Sequence, residues 1–170
     1  MVLKELKKTR INKHRMACAE YAVKPNFSEY LQGYDKGIRE FCQPDKGYHR
    51  GLNGFVNNHV CTAPLRQAYN TAYKKGKQIY HLERRITNVR NEIDDNIERK
   101  HNLEHKRYHL EKRLINESLA KNVRAKLVYR IHKLGDRILH TVDYLNVSER
   151  RLSDLIHEAK ELKLYNNPCE

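Results

Sequence analysis

Tryptophan is absent from this 170-residue chain, phenylalanine occurs three times, and no apolar run reaches the length of a membrane-spanning helix. The shortage of bulky apolar side chains excludes a large single-core globule, because too little surface is available to bury. The missing apolar run excludes a transmembrane helix. The opening residues, MVLKELKKTRINKHRMAC, carry charge but no apolar h-region, so they do not form a secretory signal as they stand. Serine is scarce, and there is no Gly-x-Ser-x-Gly elbow, no P-loop and no Gly-x-Gly-x-x-Gly turn. The acids are interleaved with Lys and Arg, which reads as solvated pairing on helices. Glu29, Asp35 and Glu40 are too few to form an acid–base pair. The sequence therefore predicts a protein that is not an enzyme and that needs no cofactor.

What is present is charge and helical periodicity. Lys and Arg number 34 against 21 Asp and Glu, a net charge of +13. Such an excess favours anionic partners such as nucleic acid or another polyanion. It is spread along the chain, however, whereas a dedicated nucleic-acid reader concentrates it on one face. Full disorder is excluded, because Leu, Ile, Val and Tyr recur at helical spacing.

Composition divides the chain. Six of the seven glycines lie between Gly33 and Gly76, and all three Phe and three of the four Cys precede residue 62. This pattern predicts a basic segment at 1–16, a Cys/Tyr/Gly helical module at 17–77, a long helical hairpin at 78–165 and a flexible tail at 166–170. Within the module, Asn26 with Glu29 three residues on reads as a cap for a helix over 27–41. Pro44-Asp45-Lys46-Gly47 reads as a type I turn. Thr62 and Pro64 read as the opening of the next helix.

Downstream, Ile79, Leu82, Ile86, Val89 and Ile93 step by three and four. The same frame continues through Asn96, Lys100, Leu103, Arg107, Leu110 and Leu114, with a polar middle. A second run from Leu127 through Ile138, Leu145 and Leu155 to Leu162 has its own frame. The break between Ile115 and Val123 predicts two antiparallel helices at about 64–115 and 119–164, each ~70 Å long. One continuous helix that dimerises through a stutter is the alternative.

Three groups of residues are candidates for a site. The pattern Tyr-x-x-Gly occurs four times, as Tyr30 to Gly33, Tyr34 to Gly37, Tyr48 to Gly51 and Tyr73 to Gly76. With Gly54, it suggests close helix packing, because glycine lets another backbone approach; a ligand-binding Tyr cluster is the sharper alternative. Cys18, Cys42 and Cys61 suggest a disulfide in an oxidising compartment. Free buried thiols come next, and third a zinc site that adds His14 and His59. His101, His105 and His109, at i, i+4 and i+8, place three imidazoles on one helix face. They could ligate a metal, though a protonated basic stripe is the plainer reading.

The ordered elements Ala17-Cys18, Pro25, Tyr30-Leu31-Gln32-Gly33, Gly37-Ile38, Phe41-Cys42, Gly47-Tyr48-His49-Arg50-Gly51, Gly54, Val60-Cys61 and Tyr73 to Gly76 resemble a bacterial domain family of unknown function. That family is typically found in small predicted envelope lipoproteins. Ile79 to Ile86 looks like the heptad helix that often follows, so the resemblance spans about residues 14–86. Its members usually carry a signal or lipobox and a further upstream Cys, which this chain replaces with a short basic segment. The resemblance implies a periplasmic or envelope location; the absence of a signal implies a cytoplasmic one.

Together these readings predict an all-α protein, a small Cys/Gly/Tyr-rich module followed by a coiled-coil hairpin. The expected role is that of a non-enzymatic envelope adaptor, which binds a protein partner or self-associates through the coiled coil. A cytoplasmic protein that binds nucleic acid or another polyanion is the second expectation, and a metal-binding protein the third.

Overall fold

The computed structural model describes residues 11–13, 15–22 and 26–165, and the side chains of 164 and 165 are not described. Every regular element among them is helical. Residues 11–13 and 15–19 are helical, and four longer helices follow: α1 (Phe27–Phe41), α2 (Pro44–Leu52), α3 (Leu65–Asn116) and α4 (Lys121–Tyr165). The chain divides into two compact units, Met1–His81 and Leu82–Glu170.

In the first unit, α1 begins where its cap predicts. The Asn26 side-chain oxygen accepts from the backbone N–H groups of Ser28 (3.0 Å) and Glu29 (3.4 Å), and its amide donates to Glu29 Oε1 at 3.1 Å. These bonds satisfy two donors that the first turn leaves without helical partners. Asn26→Ala should lower stability by about 1 kcal/mol, read from a urea titration of helicity. At the other end Cys42 N–H donates to Ile38 O, Gln43 Nε2 donates to Arg39 O, and Pro44 stops the helix.

Pro44 to Gly47 is not a turn, as its signature suggests, but the first turn of α2. Gly47 N–H donates to Gln43 O at 3.1 Å, an i to i−4 bond. Proline fits the first helical position because no bond is lost there. What decides between the two conformations is tertiary: Gly47 is buried, and a Cβ there would lie 2.6 Å from Tyr69 O. The helix ends at Leu52 with Asn53 as its cap, and Gly54 after it has φ +74°, the left-handed conformation that glycine adopts without strain.

In the second unit, α3 from Leu82 onward and α4 pack antiparallel as a hairpin. Lys163 meets Glu83 at 2.7 Å, Glu158 meets Arg85 at 3.8 Å and Arg151 meets Glu92 at 3.8 Å, so numbers fall along α4 as they rise along α3. These pairs are exposed, so they mark the register more than they stabilise it. The seam positions read from sequence are buried or half-buried throughout both helices. They are filled within one chain, which answers the choice between a hairpin and one continuous helix.

The apolar cluster lies away from the turn, where Leu82, Ile86, Val89 and Ile93 pack with Leu145, Leu155 and Ala159. Polar residues interrupt the seam, with Asn96 and Lys100 half-buried and Thr141 and Ser148 buried, while Leu103, Leu127 and Ile138 are buried apolar positions nearer the turn. Asn96 Nδ2 and Thr141 Oγ1 donate back to Glu92 O and Arg137 O on their own helices. Such bonds satisfy the polar groups without adding attraction across the seam.

Candidate functional site

Two places carry more chemistry than their surroundings, one in each unit. The first is the irregular segment between α2 and α3. Cys42, at the end of α1, is disulfide-bonded to Cys61 across 19 residues, with Cα atoms 5.7 Å apart. Both sulfurs are buried in a cluster with Tyr69, against which Ile38, Phe41, Val60, Leu65 and Tyr73 pack. Phe41 stacks on Tyr69 at 5.7 Å between centroids.

Helical side chains hold this segment at five further points. Arg50 Nη2 donates to Val56 O (3.2 Å), Tyr73 Oη to Phe55 O (2.8 Å) and Lys77 Nζ to Gly54 O (2.9 Å). Asn57 Nδ2 donates to Asn70 Oδ1 and Arg66 Nε to Cys61 O, both at 3.0 Å. The Arg50 guanidinium also lies 5.1 Å from the Phe41 ring and 5.2 Å from the Phe55 ring. A segment without regular structure is thus fixed in shape, yet Phe55 and Val56 remain 55% and 75% exposed.

Beneath the loop, Tyr69 is buried and its hydroxyl has no hydrogen-bond partner among the described residues. Burial pushes the phenol above its ordinary pKa, and the neighbouring Arg50 charge opposes that shift.

The Tyr-x-x-Gly repeats divide by position. Gly51 and Gly76 face one another across α2 and α3. A Cβ on Gly51 would strike Tyr73 O, and one on Gly76 would strike Tyr48 O. The same two Cβ positions fall 2.8 Å from Lys77 N and 2.7 Å from Leu52 N respectively. Gly54 lies against the Tyr80 ring in the same way. Gly33 and Gly37, by contrast, have open space where a Cβ would stand, and the rings of Tyr30 and Tyr34 lie 6.2 Å apart on α1 itself. The repeat is a crossing motif between α2 and α3 only.

The zinc arrangement fails on its sulfurs. Cys42 and Cys61 are bonded to each other, and a disulfide offers no thiolate to a metal. Cys18 is a free, half-buried thiol, while His14 and Cys169 lie outside the described residues. Among the described residues no three His, Cys, Asp or Glu side chains gather as a metal set.

The second place is a cleft of about 580 Å³ between α3 and α4 in the half of the hairpin nearer its turn. His105, Lys106 and His109 line it from α3, and Arg130, Lys133 and Arg137 from α4. Leu110 and Leu134, both half-buried, complete the lining, and no acid takes part. His105 Nε2 and His109 Nε2 are 3.0 Å apart, while His101 Nδ1 turns to Glu104 at 3.6 Å. The histidine stripe thus splits into a pair in the cleft and one ring outside it. Arg130, Lys133 and Arg137 escaped the sequence reading, although their i, i+3, i+7 spacing marks one face of α4.

Residues 6–78 match the family described as a protein of unknown function (DUF2799). The match covers the first unit almost whole and stops before Ile79, so the helix read as the family's continuation lies outside it. No curated protein and no solved structure matches the chain.

Proposed function

We propose that the protein is a non-enzymatic adaptor of an oxidising compartment, the bacterial envelope, whose first unit binds a protein partner through the loop that carries Phe55 and Val56. The observation that carries this reading is the loop itself, fixed by the Cys42–Cys61 disulfide and five side-chain bonds while its apolar tip stays exposed. Ordering the loop in advance removes an entropy cost from binding. A disulfide is consistent with an oxidising compartment, and no helix among the described residues is long and apolar enough to cross a membrane. The seam residues are occupied within the hairpin, which favours partner binding through the loop over self-association through the coiled coil.

The test is a thiol count on protein taken directly from its host and denatured. Cys42 and Cys61 should alkylate only after reduction, whereas Cys18 should react without it. A photo-crosslinking residue at position 55 or 56 should then give one discrete protein adduct in host cells. If all cysteines react without reductant, or if crosslinking yields no discrete adduct, the reading fails.

A further inference from the structure

The cleft of the hairpin has no part in the adaptor reading, yet its lining is of one sign. Lys106, Arg130, Lys133 and Arg137 make no ion pair among the described residues. Their neighbours differ. On α3, Lys100 pairs with Glu104, Arg107 with Glu111 and Arg113 with Glu117, each at i, i+4. Cations without an acid partner thus line the cleft from both helices, and no acid lies among them. Charges that converge from two walls of a cleft focus the field there.

We infer that this cleft is a binding site for a compact anion that carries two or three phosphate groups, held by Lys106, Arg130, Lys133 and Arg137 with the His105–His109 pair as a proton-dependent addition. Arg130 and Arg137 offer planar donor forks suited to phosphate oxygens, and the two lysines add point charges. Size favours a compact ligand. The cleft volume is that of a small-molecule pocket, and Arg130 to Arg137 spans only about 10 Å of helix.

The histidine pair ties the site to pH. A bond between two Nε2 atoms needs one neutral ring to accept, since two imidazolium rings both donate and repel. The groups around the pair are Lys106, His101, Glu104 and Tyr108 on its own helix, and Arg130, Lys133 and Arg137 from α4. Glu104 is engaged by Lys100 and His101. An anion in the cleft favours a second proton on the pair, so anion binding and proton uptake strengthen one another.

The experiment is calorimetric titration of the full chain with tripolyphosphate at pH 6 and pH 8. Wild type should bind in the micromolar range, and its affinity relative to H105Q/H109Q should be greater at pH 6 than at pH 8. The double variant R130Q/R137Q should bind at least ~10-fold more weakly, a loss of about 1.4 kcal/mol. K126Q, which removes an α4 charge outside the cleft, should bind as wild type does. H105Q/H109Q should keep most of its affinity at pH 8, and helicity should be unchanged in all variants. Flotation with phosphatidylcholine vesicles doped with cardiolipin separates the sources. Vesicle binding that tripolyphosphate competes away and R130Q/R137Q abolishes assigns a lipid headgroup. Binding of the free anion alone assigns a soluble one. The inference is overturned if tripolyphosphate does not bind, if K126Q weakens binding as much as R130Q/R137Q, or if single-stranded DNA binds tighter than tripolyphosphate and R130Q/R137Q leaves it bound. None of these results bears on the loop in the first unit, so this inference and the adaptor reading fail independently.

Discussion

Gly76→Ala is expected to destabilise the first unit by about 3 kcal/mol, although alanine is intrinsically the better helix former by ~1 kcal/mol. Position 76 lies well inside α3, so with open space around it the substitution would raise stability. The sign is reversed by what the new methyl group would meet: Tyr48 O and, 2.7 Å away, Leu52 N. These are backbone atoms of α2 and cannot rotate aside as a flexible side chain can. The two helices must separate, which pulls Tyr69 and Tyr73 from the disulfide cluster. Gly51→Ala should cost a similar amount through Tyr73 O. Combining the two should cost less than their sum, because helices already pushed apart by the first methyl group accommodate the second. Gly33→Ala and Gly37→Ala are the controls. Both positions are exposed on α1 with nothing within 4 Å of a Cβ, so each should stabilise by up to ~1 kcal/mol. Urea unfolding of the four single variants and the double variant tests the pattern. A Gly76→Ala protein at least as stable as wild type would remove the crossing from the account of the fold.

That contrast also shows what the sequence could and could not reveal. The Tyr-x-x-Gly spacing is the same at all four places, since it describes only the helix on which it sits. Which repeats cross another helix depends on residues more than 20 positions away, and no local pattern encodes that. The Asn26 cap and the three-and-four steps of the hairpin were legible because each is a short-range rule with one outcome. Pro44 to Gly47 was misread because Pro-Asp-x-Gly satisfies a turn and a helix start equally, and burial against Tyr69 decides between them. Three cysteines left the pairing open until the fold brought Cys42 and Cys61 together. The cleft was half-visible: the histidines stood out, but their α4 counterparts became neighbours only through the hairpin register. The fixed loop left no trace, since the bonds from Arg50, Tyr73 and Lys77 go to backbone carbonyls that any residue supplies.

Replacing Cys42 and Cys61 with serine together should cost the first unit about 3 kcal/mol, the effect expected for a cross-link that closes a loop of this size. The loss acts mainly on the unfolded state, which gains the freedom of the segment between two cysteines 19 positions apart. The folded state also suffers, because two serine hydroxyls would replace buried sulfurs in an apolar cluster. The effect should be local. The buried cluster of the second unit contains no cysteine, so its seam should keep its protection while α2 and the loop lose theirs. Hydrogen exchange with and without reductant reads both at once. Amides of α2 and residues 53–64 should exchange roughly 100-fold faster after reduction, the equivalent of ~3 kcal/mol, and those around Val89 and Leu145 should not change. Cys18→Ser should change neither region, because that thiol is free and only half-buried. Equal protection before and after reduction would mean that the disulfide follows the fold without supporting it. The stability of the loop would then rest on its side-chain bonds alone, and its fixed shape would no longer depend on an oxidising compartment.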